Sequence, residues 1–295
     1  MAYIKSLGTP SSRSTARKAL NAIARALGRA SPNDIQWESV TRSDAQDVLH
    51  ALQDKGLAPA TQQLYMAVFR GVMHEAWQME LISGDTLERI KTVKPAKATR
   101  LPSGRALPVE EVDHLLAQVS RDRRPKGIRD VAIIQILYSS GLRRSELVGI
   151  DLEHVIPEEN AIRVTGKGDR ERLSYLDDEA WDALNEWIDQ VRGEDPGPLF
   201  LPINKGGKIQ WRRMSDQSIA SLLGARALEA GIQKTGPHDM RRSFITQLLD
   251  NGVDVFTVKE AAGHASVTTT QIYDRRSEEG KRAAVAGLRG RNRKT

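Results

Sequence analysis

Six side chains spread over the last two thirds of this 295-residue sequence are of types that handle phosphate: Arg143, Lys167, His238, Arg241, His264 and Tyr273. Guanidinium groups hold phosphate oxygens through fixed forks of N–H donors, and imidazole and ammonium groups add further donors and mobile protons. A phenol among them can attack phosphorus and become covalently linked to it. Such a set can cut nucleic acid through a protein-linked phosphate. The positive side chains can stabilise the developing charge themselves, so no metal is required.

Each residue also has a plainer reading. Arg143 lies in GLRRSEL, between a glycine suited to end one helix and a short helix with Ser145 as its cap, and Glu146 is near enough to orient it; a surface Arg–Glu pair is the alternative. Lys167 sits between Gly166 and Gly168 at an expected hairpin tip, where it could reach a ligand backbone or simply aid solubility. His238 and Arg241 follow Gly236-Pro237 and share a face near a helix N-terminus, which favours anions; a histidine cap is the alternative. His264 follows Gly263 and precedes Tyr273 by nine residues in AAGHASVTTTQIY, so that a turn and a short helix could bring both rings to one pocket. Without that convergence Tyr273 would be an amphipathic surface residue. No His-Glu-x-x-His pattern and no cysteine accompanies the histidines, so no metal site and no cofactor is expected.

The elements that must position these residues can be read from periodicity and caps. In the first third, Ser12 or Ser14 can cap a helix through Leu20 and Leu27, Ser43 and Gln46 have capping-box spacing, and Pro59 opens a third helix. Phe69, Met73 and Trp77 are expected in the core of the resulting bundle. Residues Lys91 to Arg105 carry five basic side chains, no acidic one and two prolines, which reads as an extended linker, a neutral spacer or, as the uniform charge sign favours, a phosphate-tracking strap. Pro108 opens the next helix, a longer one ends at Gly141, and AIRVTGKGDRERLSYL alternates like two short strands. Helical patterns follow at 178–192, 216–230, 238–250 and 254–262, and Ser266 can cap a last short helix carrying Tyr273.

Composition sets the outer bounds. The length suits two domains with real cores, and the absence of cysteine excludes disulfide frameworks and thiolate chemistry. The longest apolar stretch, Val131 to Tyr138, is interrupted by Gln135 and too short to span a bilayer, and the N-terminus lacks a signal-peptide layout. A soluble, cytoplasmic protein with no membrane partner is the expectation. Charge is uneven: residues 1–105 hold 15 basic and 9 acidic side chains, 106–274 hold 21 and 27, and 275–295 hold 8 and 2. A polyanion would be gripped mainly by the first hundred residues and the tail.

In this order, GLRRSEL, GKGDRER, HDMRRSF and AGHASVTTTQIY resemble the signature segments of the tyrosine recombinases, the phage-integrase and Xer-like family. The resemblance spans essentially the whole chain. It implies a mainly α fold of two domains, a SAM-like helical core-binding domain (1–93) and a mixed α+β catalytic domain with a small antiparallel sheet (107–295), joined by a basic linker (94–106). It further implies that Arg143, Arg241 and His264 hold the scissile phosphate, that His238 assists proton movement, that Lys167 protonates the leaving 5′-oxygen and that Tyr273 forms a 3′-phosphotyrosyl link. Lys91, Lys94, Lys97, Arg100, Arg105 and Arg242 are the expected DNA-binding residues. The implied partners are nucleoid DNA with short inverted-repeat core sites and a homotetramer on paired sites, with a second recombinase or an accessory protein as further candidates. Segment 278–295 would be exchanged between subunits. Ala262 departs from the bulkier aliphatic common in the family, and Arg242 stands where many members have histidine. A type IB topoisomerase, which relaxes DNA without pairing sites, and a non-cleaving DNA-binding regulator are the competing functions.

Overall fold

The computed structural model describes residues 2–96, 104–166, 170–271 and 273, and divides into two compact units, 1–102 and 103–295. The first is all helical: α1 (Ala2–Ser6), α2 (Pro10–Ala26), α3 (Arg42–Asp54), α4 (Pro59–Gln78) and α5 (Gly84–Lys91). Helix α2 starts at Thr9, whose hydroxyl accepts from the Ser12 N–H, rather than at Ser12 or Ser14, because Pro10 presets the first helical turn. Helix α3 is capped by a reciprocal Thr41–Asp44 box, ahead of the Ser43–Gln46 pairing expected from sequence. Leu20, Ile23, Val48, Leu52, Met66, Phe69, Met73 and Ile90 form one core. Trp77 is not in it: the residue is 43% exposed and its ring packs against His74.

The second unit carries α6 (Val109–Val119), α7 (Pro125–Ser140), α8 (Arg144–Gly149), three antiparallel strands in the order β1 (Val155–Ile156), β2 (Ala161–Thr165) and β3 (Glu171–Tyr175), then α9 (Asp178–Trp187), α10 (Asp216–Glu229), α11 (Pro237–Asp250), α12 (Val255–Ala262) and α13 (Val267–Gln271). Helix α9 continues into a π-helical turn, Ile188–Arg192. The register pairs Val164 with Arg172 and Ile162 with Ser174, so Arg172 occupies the face of β3 whose neighbours are buried. The main core gathers around α7 and includes Ile133, Leu137, Leu147, Ile162, Leu184, Trp187 and Met240. Beneath it Asp130, fully buried, binds both Arg129 (2.6 Å) and Arg226 (2.8 Å), and Arg226 also reaches Asp122 (3.0 Å), so these buried charges are paired. A second, smaller core of Ile245, Leu249, Val258 and Ala262 lies between α11 and α12.

Two helix ends shape the region around Arg143 and His264. Helix α7 stops at Gly141 (φ +59°) and α12 at Gly263 (φ +63°), both left-handed caps that glycine adopts without strain. At the second, the His264 N–H reaches back to the Lys259 carbonyl (2.9 Å) and the Gly263 N–H to that of Glu260 (2.9 Å). This Schellman geometry turns the chain sharply and leaves the carbonyls of Ala262 and Gly263 available to other donors.

Candidate active site

Three consecutive residues, Ala262, Gly263 and His264, organise the candidate site. The Arg241 guanidinium donates to the Ala262 carbonyl (2.5 Å) and to that of Gly141 (2.6 Å), and Arg143 donates to the Gly263 carbonyl (2.9 Å). Carbonyls at helix C-termini carry partial negative charge, so each arginine sits where a cation is favoured. The His264 ring lies alongside the Tyr273 ring, with centroids 6.4 Å apart and planes 24° from parallel. His264 Nδ1 is also 2.8 Å from the hydroxyl of the fully buried Thr270.

Arg143 occupies the N-cap position of α8, a role the sequence assigned to Ser145. The Glu146 carboxylate accepts both the Arg143 backbone N–H (2.9 Å) and its guanidinium (2.6 Å), which fixes the turn and the side chain together. Glu146 also accepts from Arg172 (3.0 Å), whose guanidinium lies against Gly263 so closely that a Cβ there would stand 2.8 Å from its Cζ. Burial opposes the Glu146 charge, but the bonds from Arg172 and Arg143 outweigh it and hold the carboxyl below its ordinary range.

Cations outnumber anions in this cluster. Burial, followed by repulsion from Arg143 and Arg172, pushes the Arg241 guanidinium down to about 10. Burial, then Arg241, Arg143 and Arg172, pushes His264 down to about 4, so the imidazole is neutral at pH 7. A group of arginines whose mutual repulsion is only partly offset by one carboxylate is arranged to accept an anion.

Arg143, Arg241, His264 and Tyr273 are thus brought together. His238, the second residue of α11, is exposed and makes no side-chain bond among the described residues. Lys167 lies outside the described residues; the strands on either side of it are in place, closed by Gly166 N–H to the Arg170 carbonyl (2.8 Å). Arg242 stacks on Tyr273, its Cζ 5.2 Å from the ring centroid, and donates to the Gly104 carbonyl. Arg105 is clamped by both oxygens of Glu111 at 2.5 Å, and its backbone N–H by Asp239 at 2.9 Å, which stitches the entry of the unit to α11. In the first unit Lys91 closes α5 with an ion pair to Glu88, and Lys94 is exposed; Lys97 and Arg100 lie outside the described residues. Sequence reading passed over Arg172 and Thr270. The signal for Arg172 was a charged residue at a core-facing position of an alternating strand.

The profile of the phage integrase family matches residues 105–279. The chain belongs to that family. The integrase is 34% identical to tyrosine recombinase XerD of Bifidobacterium longum (strain NCC 2705) over 253 residues, which cover 82% of this chain and 80% of that protein. It is 32% identical to tyrosine recombinase XerC of Alcanivorax borkumensis over 242 residues, covering 80% and 76%. Among solved structures it superposes on the Tn1549 transposon integrase in complex with transposon right end DNA (TM-score 0.74, 19% identity, covering 96% and 95%) and on a lambda integrase dimer bound to a COC′ core site (TM-score 0.68, 16%, covering 93% and 94%). The structural likenesses establish the fold, and the sequence relatives make the integrase a tyrosine recombinase, an enzyme of site-specific DNA recombination. No described helix is long and apolar enough to cross a membrane.

Proposed function

We propose that the integrase cuts and rejoins DNA at the cluster around Ala262–His264, through a 3′-phosphotyrosyl intermediate and without metal or ATP. The observation that carries this reading is the convergence of Arg143, Arg241 and the His264–Tyr273 ring pair on three consecutive residues. Arg143 and Arg241 hold the non-bridging oxygens of the scissile phosphate through donors not used on carbonyls. His264 adds a bond from Nε2, with the Thr270 hydroxyl donating to Nδ1 and so fixing the tautomer. The Tyr273 oxygen attacks phosphorus, the bond to the 5′-oxygen breaks, and Lys167 supplies the proton that makes the leaving group a hydroxyl. The phenol proton departs with help from His238. The surrounding positive charge stabilises the negative charge that develops as the phenol oxygen attacks and the 5′-oxygen departs. The ester conserves the phosphodiester bond energy, and a 5′-hydroxyl from another strand reverses the step.

In this reading residues 1–93 are a core-binding domain, 94–106 a linker that follows the backbone, and the substrate a duplex with short inverted repeats, held by four copies of the chain that exchange segment 278–295. That segment lies outside the described residues. Solved neighbours bound to core-site and difH DNA support a DNA substrate. The test is covalent trapping: protein is incubated in EDTA with supercoiled DNA from the flanks of its own gene and quenched with detergent. A protein-linked strand break that disappears in Tyr273→Phe is the expected result. Adducts that persist in that variant, or that appear only with added magnesium, overturn the mechanism.

A further inference from the structure

Between the buried run Leu199–Leu201 and the start of α10, the chain leaves the core and returns as a short ordered ribbon. Ile203 and Ile209 pair across it, and Asn204 anchors the tip: its N–H donates to the Lys208 carbonyl (3.0 Å), its side-chain oxygen accepts from Lys208 N–H (3.0 Å) and its carbonyl from Gly207 N–H (3.0 Å). Gly207 has φ +77°, which the reversal needs. The segment from Ile203 to Arg213 contains Lys205, Lys208, Arg212 and Arg213 and no acidic residue, although residues 106–274 as a whole are net acidic. Lys205, Lys208 and Arg212 are exposed and have no carboxylate partner among the described residues. The indole of Trp211 is also exposed, and is held from beneath by the buried Arg192, whose Cζ is 5.7 Å from the ring centroid.

The base of this ribbon is bolted to the helix next to Arg143. Arg213 donates to the Val148 carbonyl (2.7 Å) and to Asp151 (2.5 Å) at the far end of α8, and Asp216, just past the ribbon, pairs with Arg144 (3.2 Å) beside Arg143. Six residues of α helix span about 9 Å. Phosphates on one strand of a duplex advance about 3.4 Å each along the axis. The base of the ribbon thus stands within about 9 Å of Arg143, a separation comparable with two to three phosphate steps along one strand.

We propose that the ribbon 203–213 is a second DNA-contact site, in which Lys205, Lys208 and Arg212 neutralise backbone phosphates flanking the scissile one. The inference rests on the recombinase reading and adds to it the element that holds the strand beside the cut. Arg213 acts as the bolt, and Trp211, supported by Arg192, keeps the ribbon rigid, so that little ordering entropy is lost on binding.

The test is the salt dependence of binding to a duplex of about 30 base pairs, with Tyr273→Phe protein to keep binding reversible, over roughly 50–200 mM salt. Replacing Lys205, Lys208 and Arg212 by alanine is expected to lower the magnitude of the slope of log K against log salt by up to about 2.7, at about 0.9 per phosphate contact. A control triple, Arg121→Ala, Arg123→Ala and Lys126→Ala, removes the same charge elsewhere on the unit and should leave the slope near that of the parent. Both triples should melt with the parent. An unchanged slope in the ribbon variant, or an equal fall in the control, overturns the proposal. Adduct formation by unmodified protein is measured in parallel. Loss of slope without any Tyr273-linked adduct refutes the cleavage chemistry and leaves the ribbon standing, and the opposite pattern refutes the ribbon alone.

Discussion

Replacing Glu146 by glutamine should destabilise the second unit, and the addition of a simple anion should reverse about half of the loss. The carboxylate is 4% exposed and is the acceptor for Arg143, at 2.6 Å from the side chain and 2.9 Å from the backbone, and for Arg172 at 3.0 Å. Glutamine keeps the shape and one acceptor oxygen but removes the charge that offsets three guanidiniums. Deleting one partner of a buried ion pair costs about 3–5 kcal/mol. The Arg143 side chain is 35% exposed, so solvent screens part of its share and a value of about 3 kcal/mol is expected. For a unit of this size that is a fall in melting temperature of roughly 6–12 °C by calorimetry. Inorganic phosphate that binds the folded cluster and not the unfolded chain would add roughly 1.4 kcal/mol at about ten times its dissociation constant. The uncompensated variant should bind phosphate more tightly than the parent and gain more from it. Glu158→Gln, at an exposed position, controls for loss of one acid anywhere on the unit. A Glu146→Gln protein melting within about 2 °C of the parent, or equal rescue of both by phosphate, would refute the view that this carboxylate neutralises an anion-binding cluster.

The same cluster sets three further outcomes. His264 titrates near 4 in the folded protein against an ordinary value of 6.5, so the unfolded chain takes up the proton first; stability is complete above pH 6.5 and falls as the pH drops towards 4, by at most about 3 kcal/mol, and His264→Asn should lose this dependence in pH-resolved denaturant titrations. Arg172→Ala should slow adduct formation at saturating DNA by about 10-fold or more while leaving DNA affinity within about twofold, with Arg172→Lys recovering only part because it cannot span both carboxylate oxygens; a loss confined to affinity would contradict a positioning role. Gly263→Ala should cost about 1–2 kcal/mol more than Gly252→Ala, since both residues have positive φ but only at Gly263 does a Cβ meet Arg172; equal melting of the two variants would mean that the Arg172 contact is not held in solution.

Much of the arrangement was legible in advance because it rests on local rules. Gly141 and Gly263 announced helix ends, Gly-Lys-Gly announced a reversal between strands, and the helical periods of 216–230 and 238–250 nearly coincide with α10 and α11. What stayed hidden depends on partners distant in sequence. That Glu146 would also accept from Arg172, arriving from β3 26 residues farther on, and so be shared between two guanidiniums, was not readable locally. Arg105 looked like a free cation in a basic run, yet Glu111 and Asp239 fold it inward. Trp77 had the right helical interval for the core, but Met73 and Ala76 of the same helix take the buried positions and Trp77 is left 43% exposed against His74.

The small core between α11 and α12 is held by four buried side chains, against the much larger cluster to which α11 contributes Met240. A patch of that size opens at a fraction of the free energy needed to unfold the unit. If it lifts, the Ala262 and Gly263 carbonyls, the His264 ring and Tyr273 leave together, since they belong to one short stretch of chain packed on the same few residues. Arg143, Arg172, Arg241 and Glu146 stay behind on the main scaffold. In the proposed mechanism the nucleophile and the groups that steady its target would therefore be withdrawn together. On that mechanism, raising this one flap would leave a cationic surface that still attracts an anionic strand but lacks the group to break it.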